Sequence, residues 1–377
     1  MKNKLTYCAT DNEIYEVLMS AKQKITDAVL LELAKDRGIF YSHKDCRETL
    51  VEMLSLLPHD YHDLGEILEH REHAGRTEKL THITLDTMLS IEDIKTVAGD
   101  YREDSPSDEK VVTHQEGTNQ YVVQVQYSEI DHSKTRLIQR KPKVADIQFI
   151  VENNKTIVRM PANSKALKTF ENLKSRLEQR KKSELAMIQI DLSEFGRAES
   201  KTQFFTSLIS SVSSFALDNV TSVRVEPIRK ESDEDAIDLD DDQEQEQAKQ
   251  EALALVKKVA LSGEDLLLSE EYQSLRKKGF FITSIIWRAK QKNAPHSIIE
   301  FEAAFEDPHA GTGFKYAVRG ELRMLRAGEY TKTLRAIDDE HKQYLLSSLE
   351  KTAAAVMLEL RQNEAAAKVL HPLQEGM

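Results

Sequence analysis

Cysteine is nearly absent: Cys8 and Cys46 are the only two among 377 residues. Two thiols cannot build a disulfide framework or a cysteine-ligated zinc site, and such sparse usage suits a reducing compartment. Long apolar runs are missing too. No stretch of about 18 apolar residues occurs, and residues 1–10 lack the apolar segment of a signal peptide, so the sequence predicts a cytoplasmic protein with no membrane partner. Catalytic motifs are also lacking: neither Gly-x-Ser-x-Gly nor His-Glu-x-x-His occurs. Residues 307–313 lack the Gly-Lys-Ser/Thr ending of a phosphate loop and precede a strand pattern, so they read as a hairpin loop. Glu340 and Lys342 fall on an expected helix, where a strand-based nuclease core would not place them. No cofactor is expected, and the balance of motifs leans away from an enzyme.

Positive charge is short in the chain as a whole. Lys and Arg number 52 against 64 Asp and Glu, for a formal net charge of −12, and the pI is near 5.6. The whole surface does not attract phosphate, so any polyanion must bind regionally. Residues 132–182 are the exception, with fourteen Lys and Arg against four Asp and Glu, a local excess of +10. A folded surface of that density is the electrostatic footprint of nucleic-acid binding. Its candidate contacts are Arg136, Arg140, Lys141, Lys143, Lys155 and Arg159 around expected strands, then Lys165, Lys168 and Arg176 on the helix that follows. Lys165, Lys168, Asn172 and Arg176 recur at spacings of three and four, along one side of that helix. A second cluster, Arg276, Lys277, Lys278, Arg288, Lys290 and Lys292, contains no acid between its ends and surrounds the only tryptophan, Trp287. The two clusters form one groove if their β-rich blocks share a sheet.

Hydrophobic spacing predicts an α+β fold in four parts. Residues 1–104 read as a helical domain with Ile14, Val17, Leu18, Val29, Leu30 and Leu33 inward, Pro58 as a helix start and a helix over 84–97. Residues 108–230 read as a basic α+β domain. Tyr121, Val123, Val125 and Tyr127 alternate in one strand, and Ile147, Phe149 and Val151 in another. Asn153-Asn154 marks a hairpin turn. The helix from about Asn163 carries Leu167, Phe170, Leu173 and Leu177 as its stripe, before a strand over 185–192, a helix over 203–216 and a strand over 220–228. Residues 231–247 hold ten acids and no base, so they read as an acidic flexible linker. Residues 248–377 read as a β-rich block: helices over 248–261 and 269–277, strands over 280–290, 296–305 and 314–325, and a long C-terminal helix with Leu345, Leu349, Val356 and Leu360 inward.

Two N-terminal patterns bear on function. Leu30-Leu31-Glu32-Leu33-Ala34-Lys35-Asp36-Arg37-Gly38-Ile39, followed by Ser42, Arg47, Leu50-Val51 and Met53-Leu54, resembles the SAP and Rho N-terminal family of helix, extended loop, helix modules over about residues 25–57. The loop reads His43-Lys44-Asp45 where that family has Gly-Lys. The resemblance implies nucleic-acid contact by Arg37, Lys44 and Arg47. Further on, His62, Glu66, Glu69 and His73 fall on one helical face, a plausible partial ligand set for zinc or iron. The favoured expectation is a non-catalytic, nucleic-acid-binding subunit of a DNA or RNA processing or phage-defence complex, with a protein partner or a second copy of itself. The alternatives are a metal-dependent nuclease or hydrolase using the His and Glu face, and a protein-interaction scaffold.

Overall fold

The computed structural model describes residues 9–22, 24–71, 78–137, 139–195, 198–227, 259–262, 266–326 and 328–370. In chain order its elements are α1 (Asp11–Ser20), α2 (Asp27–Lys35), α3 (Arg47–Ser55), α4 (Tyr61–Arg71), β1 (Leu80–Leu85), α5 (Ile91–Glu103), β2 (Lys110–Glu116), β3 (Gln120–Ile130), β4 (Arg140–Glu152), β5 (Lys155–Pro161) and α6 (Ser164–Lys181). There follow β6 (Met187–Ile188), α7 (Ala198–Ser211), β7 (Phe215–Pro227), β8 (Val259–Ser262), α8 (Glu270–Lys277), β9 (Phe280–Gln291), β10 (Ile298–Asp307), β11 (Thr312–Leu322), β12 (Met324–Arg326), β13 (Glu329–Tyr330) and α9 (Asp339–Leu370). The α+β class is as the spacing predicts. No described helix is long and apolar enough to cross a membrane.

The chain forms two compact units that alternate in sequence: Met1–Glu78, Leu89–Val151 and Ser164–Glu184 make one, and Lys79–Met88, Glu152–Asn163 and Leu185–Met377 the other. In the first unit α1 begins in a capping box, with the Glu13 amide donating to Thr10 Oγ1 and the Thr10 amide to Glu13 Oε2. Helices α1 to α4 enclose Ile14, Val17, Leu18, Leu30, Leu50, Leu54, Leu64 and Ile67, all buried. Strands β2, β3 and β4 form antiparallel ladders with Val123 opposite Ile147. Phe149 is buried and Tyr127 nearly so, as alternation requires. Helix α6 buries Ala166, Thr169, Phe170, Leu173 and Leu177. Leu167, expected in that stripe, is 43% exposed, because Ala166, Phe170, Leu173 and Leu177 already close a stripe of four-, three- and four-residue steps.

The second unit is built on an antiparallel sheet in the order β5-β1-β11-β10-β9-β7-β8. One face packs under α7 and α9, burying Phe204, Phe205, Trp287, Phe301, Tyr316, Leu345, Leu349, Val356 and Leu360. Trp287 and Phe301 stack with centroids 5.3 Å apart. Asn153 and Asn154 take φ of 51° and 62°, the left-handed pair a two-residue hairpin turn needs. The 307–313 segment turns β10 into β11. There Gly311, at φ +75°, approaches Leu192 so closely that a Cβ would lie 2.9 Å from that side chain.

Several elements differ from expectation. The helix expected over 84–97 is β1 followed by α5, because the Ser90 hydroxyl accepts from the Asp93 amide and starts the helix at Ile91. Helix α4 starts at Tyr61 rather than Pro58, since Asp60 caps it by accepting from the His62 and Asp63 amides. The expected strand over 185–192 shrinks to Met187–Ile188. Helix α7 begins five residues early, at Ala198, and ends at Ser211, which frees Phe215 to start β7. Of the helix expected over 248–261, residues 248–258 lie outside the described residues and 259–262 form strand β8. The acidic tract, 231–247, also lies outside them. Its flanks do not join two blocks: β7 and β8 pair directly, Val225 opposite Val259, within the second unit.

Candidate nucleic-acid interface

Pairing along the basic run is extensive, and most partners come from distant sequence. In the first unit Arg136 meets Glu13 at 2.6 and 3.0 Å. Lys141 meets Asp131 at 3.6 Å, and Lys143 meets Glu78 at 2.9 Å and Glu129 at 3.1 Å. Lys165 bonds Glu109, and Arg176 pairs with Asp104 at 2.9 Å while donating to Asn172. Arg140 and Lys168 make no ion pair among the described residues and are exposed. The hydrogen bond it donates to Glu78 holds the Lys143 ammonium well above its usual range.

Within the second unit Lys155 pairs with Asp86 at 2.9 Å. Arg159 corrects the sequence expectation of a surface contact: it is 2% exposed. Its guanidinium grips Glu350 of α9 at 2.6 and 2.9 Å and also donates to Gln343. The physical reason is alternation. Arg159 stands opposite His82 in the β5–β1 ladder, and both point toward the helix-covered side.

The arginines of the SAP-like stretch are likewise engaged inside the first unit. Gly38, at φ +71°, ends α2, with the Ile39 amide returning to the Ala34 carbonyl at 2.9 Å. Arg37 bonds Asp63 at 2.8 Å and the Pro58 carbonyl at 3.0 Å. Arg47 is 6% exposed and bonds Asp27 at 2.8 Å and the Leu18 carbonyl at 2.7 Å. Lys44 makes no ion pair among the described residues. His62, Glu66 and Glu69 lie on α4, and His73 lies outside the described residues. Among the described residues no three His, Cys, Asp or Glu side chains gather as a metal-binding group.

A different surface emerges on the side of the second unit's sheet turned away from α7 and α9. Strand β10 alternates Ile299, Phe301 and Ala303, which enter the core, with Glu300 and Glu302, which face the other way and are only 4% and 5% exposed. Arginines and a lysine cover these carboxylates. Arg288 of β9 reaches Glu300 at 3.0 Å; Arg319 of β11 reaches Glu300 at 3.2 Å and Glu302 at 3.7 Å; Lys79 reaches Glu302 at 2.6 Å. Cross-strand register places more cations on this face: Lys290 opposite Ile298, Lys315 opposite Ala304, and Arg224 opposite Ser284. Six cations thus share the face with Glu300, Glu302 and Glu306, the last pairing Lys315 at 3.3 Å. Arg224, Lys290 and Arg319 are exposed. The buried carboxylates fix the guanidiniums, and each guanidinium keeps N–H groups that Glu300 and Glu302 do not occupy.

Of this set, only Arg288 and Lys290 belong to the cationic cluster visible in the sequence. Arg224, Lys315, Arg319 and Lys79 escape a search for basic runs because their neighbours in sequence are apolar or acidic. The available signal is the alternation of Lys315 and Arg319 with Phe314, Tyr316 and Val318. Arg276, Lys277 and Lys278, at the end of α8, are exposed and make no ion pair among the described residues. They immediately precede Gly279 and Phe280, and Phe280 pairs with Pro227, the last described residue before the acidic tract. No protein-family model matches the chain, and no curated protein matches it.

Proposed function

We propose that this protein is a nucleic-acid-binding subunit that meets the phosphate backbone with the β9–β10–β11 face of its second unit. The observation that carries the reading is the row Arg288, Arg319 and Lys79, anchored on two buried carboxylates and extended by Arg224, Lys290 and Lys315. Anchoring matters because an arginine already fixed in place loses less side-chain entropy when it takes a phosphate. Arg276, Lys277 and Lys278 are exposed cations of the same unit, and Arg140 and Lys168 of the first unit can meet phosphate independently. The absence of net positive charge, at −12 overall, favours localised contact over coating.

The test is fluorescence anisotropy with duplex DNA, single-stranded DNA and RNA, comparing the native protein with Arg224→Glu/Lys290→Glu/Lys315→Glu. These side chains lie outside the Glu300 and Glu302 ion pairs, and the pair that is lost, Lys315 with the exposed Glu306, contributes little, so thermal melting should change little. At least one nucleic acid should bind, and the triple variant should weaken it at least about a hundredfold, as expected when several phosphates are no longer neutralised. A folded triple variant with native affinity overturns the reading.

A further inference from the structure

Beneath the exposed side of α9, where α7 ends, lies an open groove of about 400 Å³. That is within the size range of small-molecule sites. Its wall on α9 is a single helical face, since Tyr344, Ser348, Lys351 and Ala355 recur at steps of four, three and four. Ser211 and Ser213, where α7 gives way to β7, line the other side. Every one of these residues belongs to the second unit.

Three features point to one kind of ligand. Tyr344 lines the groove yet is 53% exposed, and its ring stacks on His341 at 25°, whose Nε2 is held 3.0 Å from the Gln291 side-chain amide. The stacked pair leaves more than half of Tyr344 open to solvent. Next along the helix, Ser347 and Ser348 line the groove, the Ser348 Oγ lying buried beneath its surface with no hydrogen-bond partner among the described residues. Lys351 follows, paired with Glu152 at 2.8 Å but 56% exposed, a pairing weak enough for a competing anion to displace. From Tyr344 to Lys351 the helix rises roughly 10 Å, the scale of a nucleotide from base to phosphate.

We propose that this groove binds a nucleotide: the base stacks on Tyr344, the sugar hydroxyls meet Ser347, and the phosphate takes Lys351. Ala355 lies on the same α9 wall, so a tryptophan there would take up volume in the groove. The site is independent of the cationic sheet face, because α9 packs on the other side of the same sheet. The ligand is either a free mononucleotide or one nucleotide of a single strand, and the two sources share the recognition chemistry.

Isothermal titration calorimetry with AMP, GMP, CMP and UMP, and separately with a single-stranded oligonucleotide, distinguishes the sources. The native protein should bind a mononucleotide, the oligonucleotide or both saturably. Tyr344→Ala should weaken that binding about tenfold or more, the effect that removal of one base–aromatic stack produces. Ala355→Trp should abolish mononucleotide binding, and it should weaken oligonucleotide binding if the occupant is part of a strand. Both positions are exposed, and melting temperatures confirm folding. No saturable heat with any ligand up to millimolar concentration, or binding that survives both Tyr344→Ala and Ala355→Trp, overturns the proposal.

Discussion

Replacing Arg159 by Met severs the most buried ion pair described in the second unit while preserving side-chain length. Both side chains are 3% exposed, and both carboxylate oxygens of Glu350 lie within 2.9 Å of the guanidinium. Among the described residues Glu350 then keeps the Tyr316 hydroxyl as its hydrogen-bond donor and remains a buried anion, at a cost of about 3–5 kcal/mol. For a folding unit of this size that corresponds to a melting point lower by roughly 6–20 °C. Changing both residues, Arg159→Met with Glu350→Leu, removes the stranded charge and should recover at least half of the loss. Full recovery is not expected, because Gln343 and Tyr316 are left without their partners. Urea unfolding followed by tryptophan fluorescence reports on this unit directly, since Trp287 is the sole tryptophan and sits fully buried in its core. A single-variant cost below about 1 kcal/mol, or a double variant equal to the sum of the singles, refutes the buried-pair account. At a temperature where it is folded, Arg159→Met should bind nucleic acid as the native protein does.

Three further outcomes follow from the packing. Burial depresses the imidazole of His82, whose Nδ1 has no hydrogen-bond partner among the described residues. Only the unfolded chain takes up that proton readily, so stability is present above the ordinary histidine range and is lost as pH falls from about 6.5 toward the depressed folded value; melting from pH 7.5 to 5.5 should show a shallower decline in His82→Gln. Arg47→Met should destabilise the first unit by about 2–3 kcal/mol, because Asp27 and the Leu18 carbonyl lose a charged donor, and chemical denaturation of the variant checks this. Excising residues 231–247 should leave the melting point within about 2 °C, since Val225 and Val259 already pair and each halving of such an excursion changes closure by only about 0.6 kcal/mol. The same excision removes ten carboxylates from the stretch that follows Pro227, the strand partner of Phe280, so nucleic-acid affinity should rise, most at low salt, if they compete for Arg276, Lys277 and Lys278.

Elements governed by local periodicity are legible in the sequence. The inward set of α9, Leu345, Leu349, Val356 and Leu360, is buried throughout, and the Asn153-Asn154 turn follows from the tolerance of Asn for positive φ. Features decided by competition or by distant partners are not legible. Residues 84–90 contain apolar side chains compatible with helix, and the Ser90 cap together with six-residue pairing to β5 settles them as strand and turn. The basic run fails for a similar reason. Glu13, Glu78, Asp104 and Glu109 lie outside the 132–182 window, so charge counted along the chain overstates charge on the surface. The sheet face has the opposite problem. Its cations come one from β7, two each from β9 and β11, and one from Lys79 just before β1, and only the register of those strands brings them together.

The slope of nucleic-acid affinity against salt concentration tests the central claim most directly. For each phosphate that the protein no longer neutralises, the magnitude of d log K/d log[salt] should fall by about 0.9 on duplex DNA or about 0.7 on single strands. Measured between 50 and 200 mM salt, Arg224→Ala, Lys290→Ala and Lys315→Ala should each flatten the slope by that step, and the triple variant by about three steps. Slopes identical to the native protein's in all four folded variants would contradict a phosphate-binding face on β9, β10 and β11.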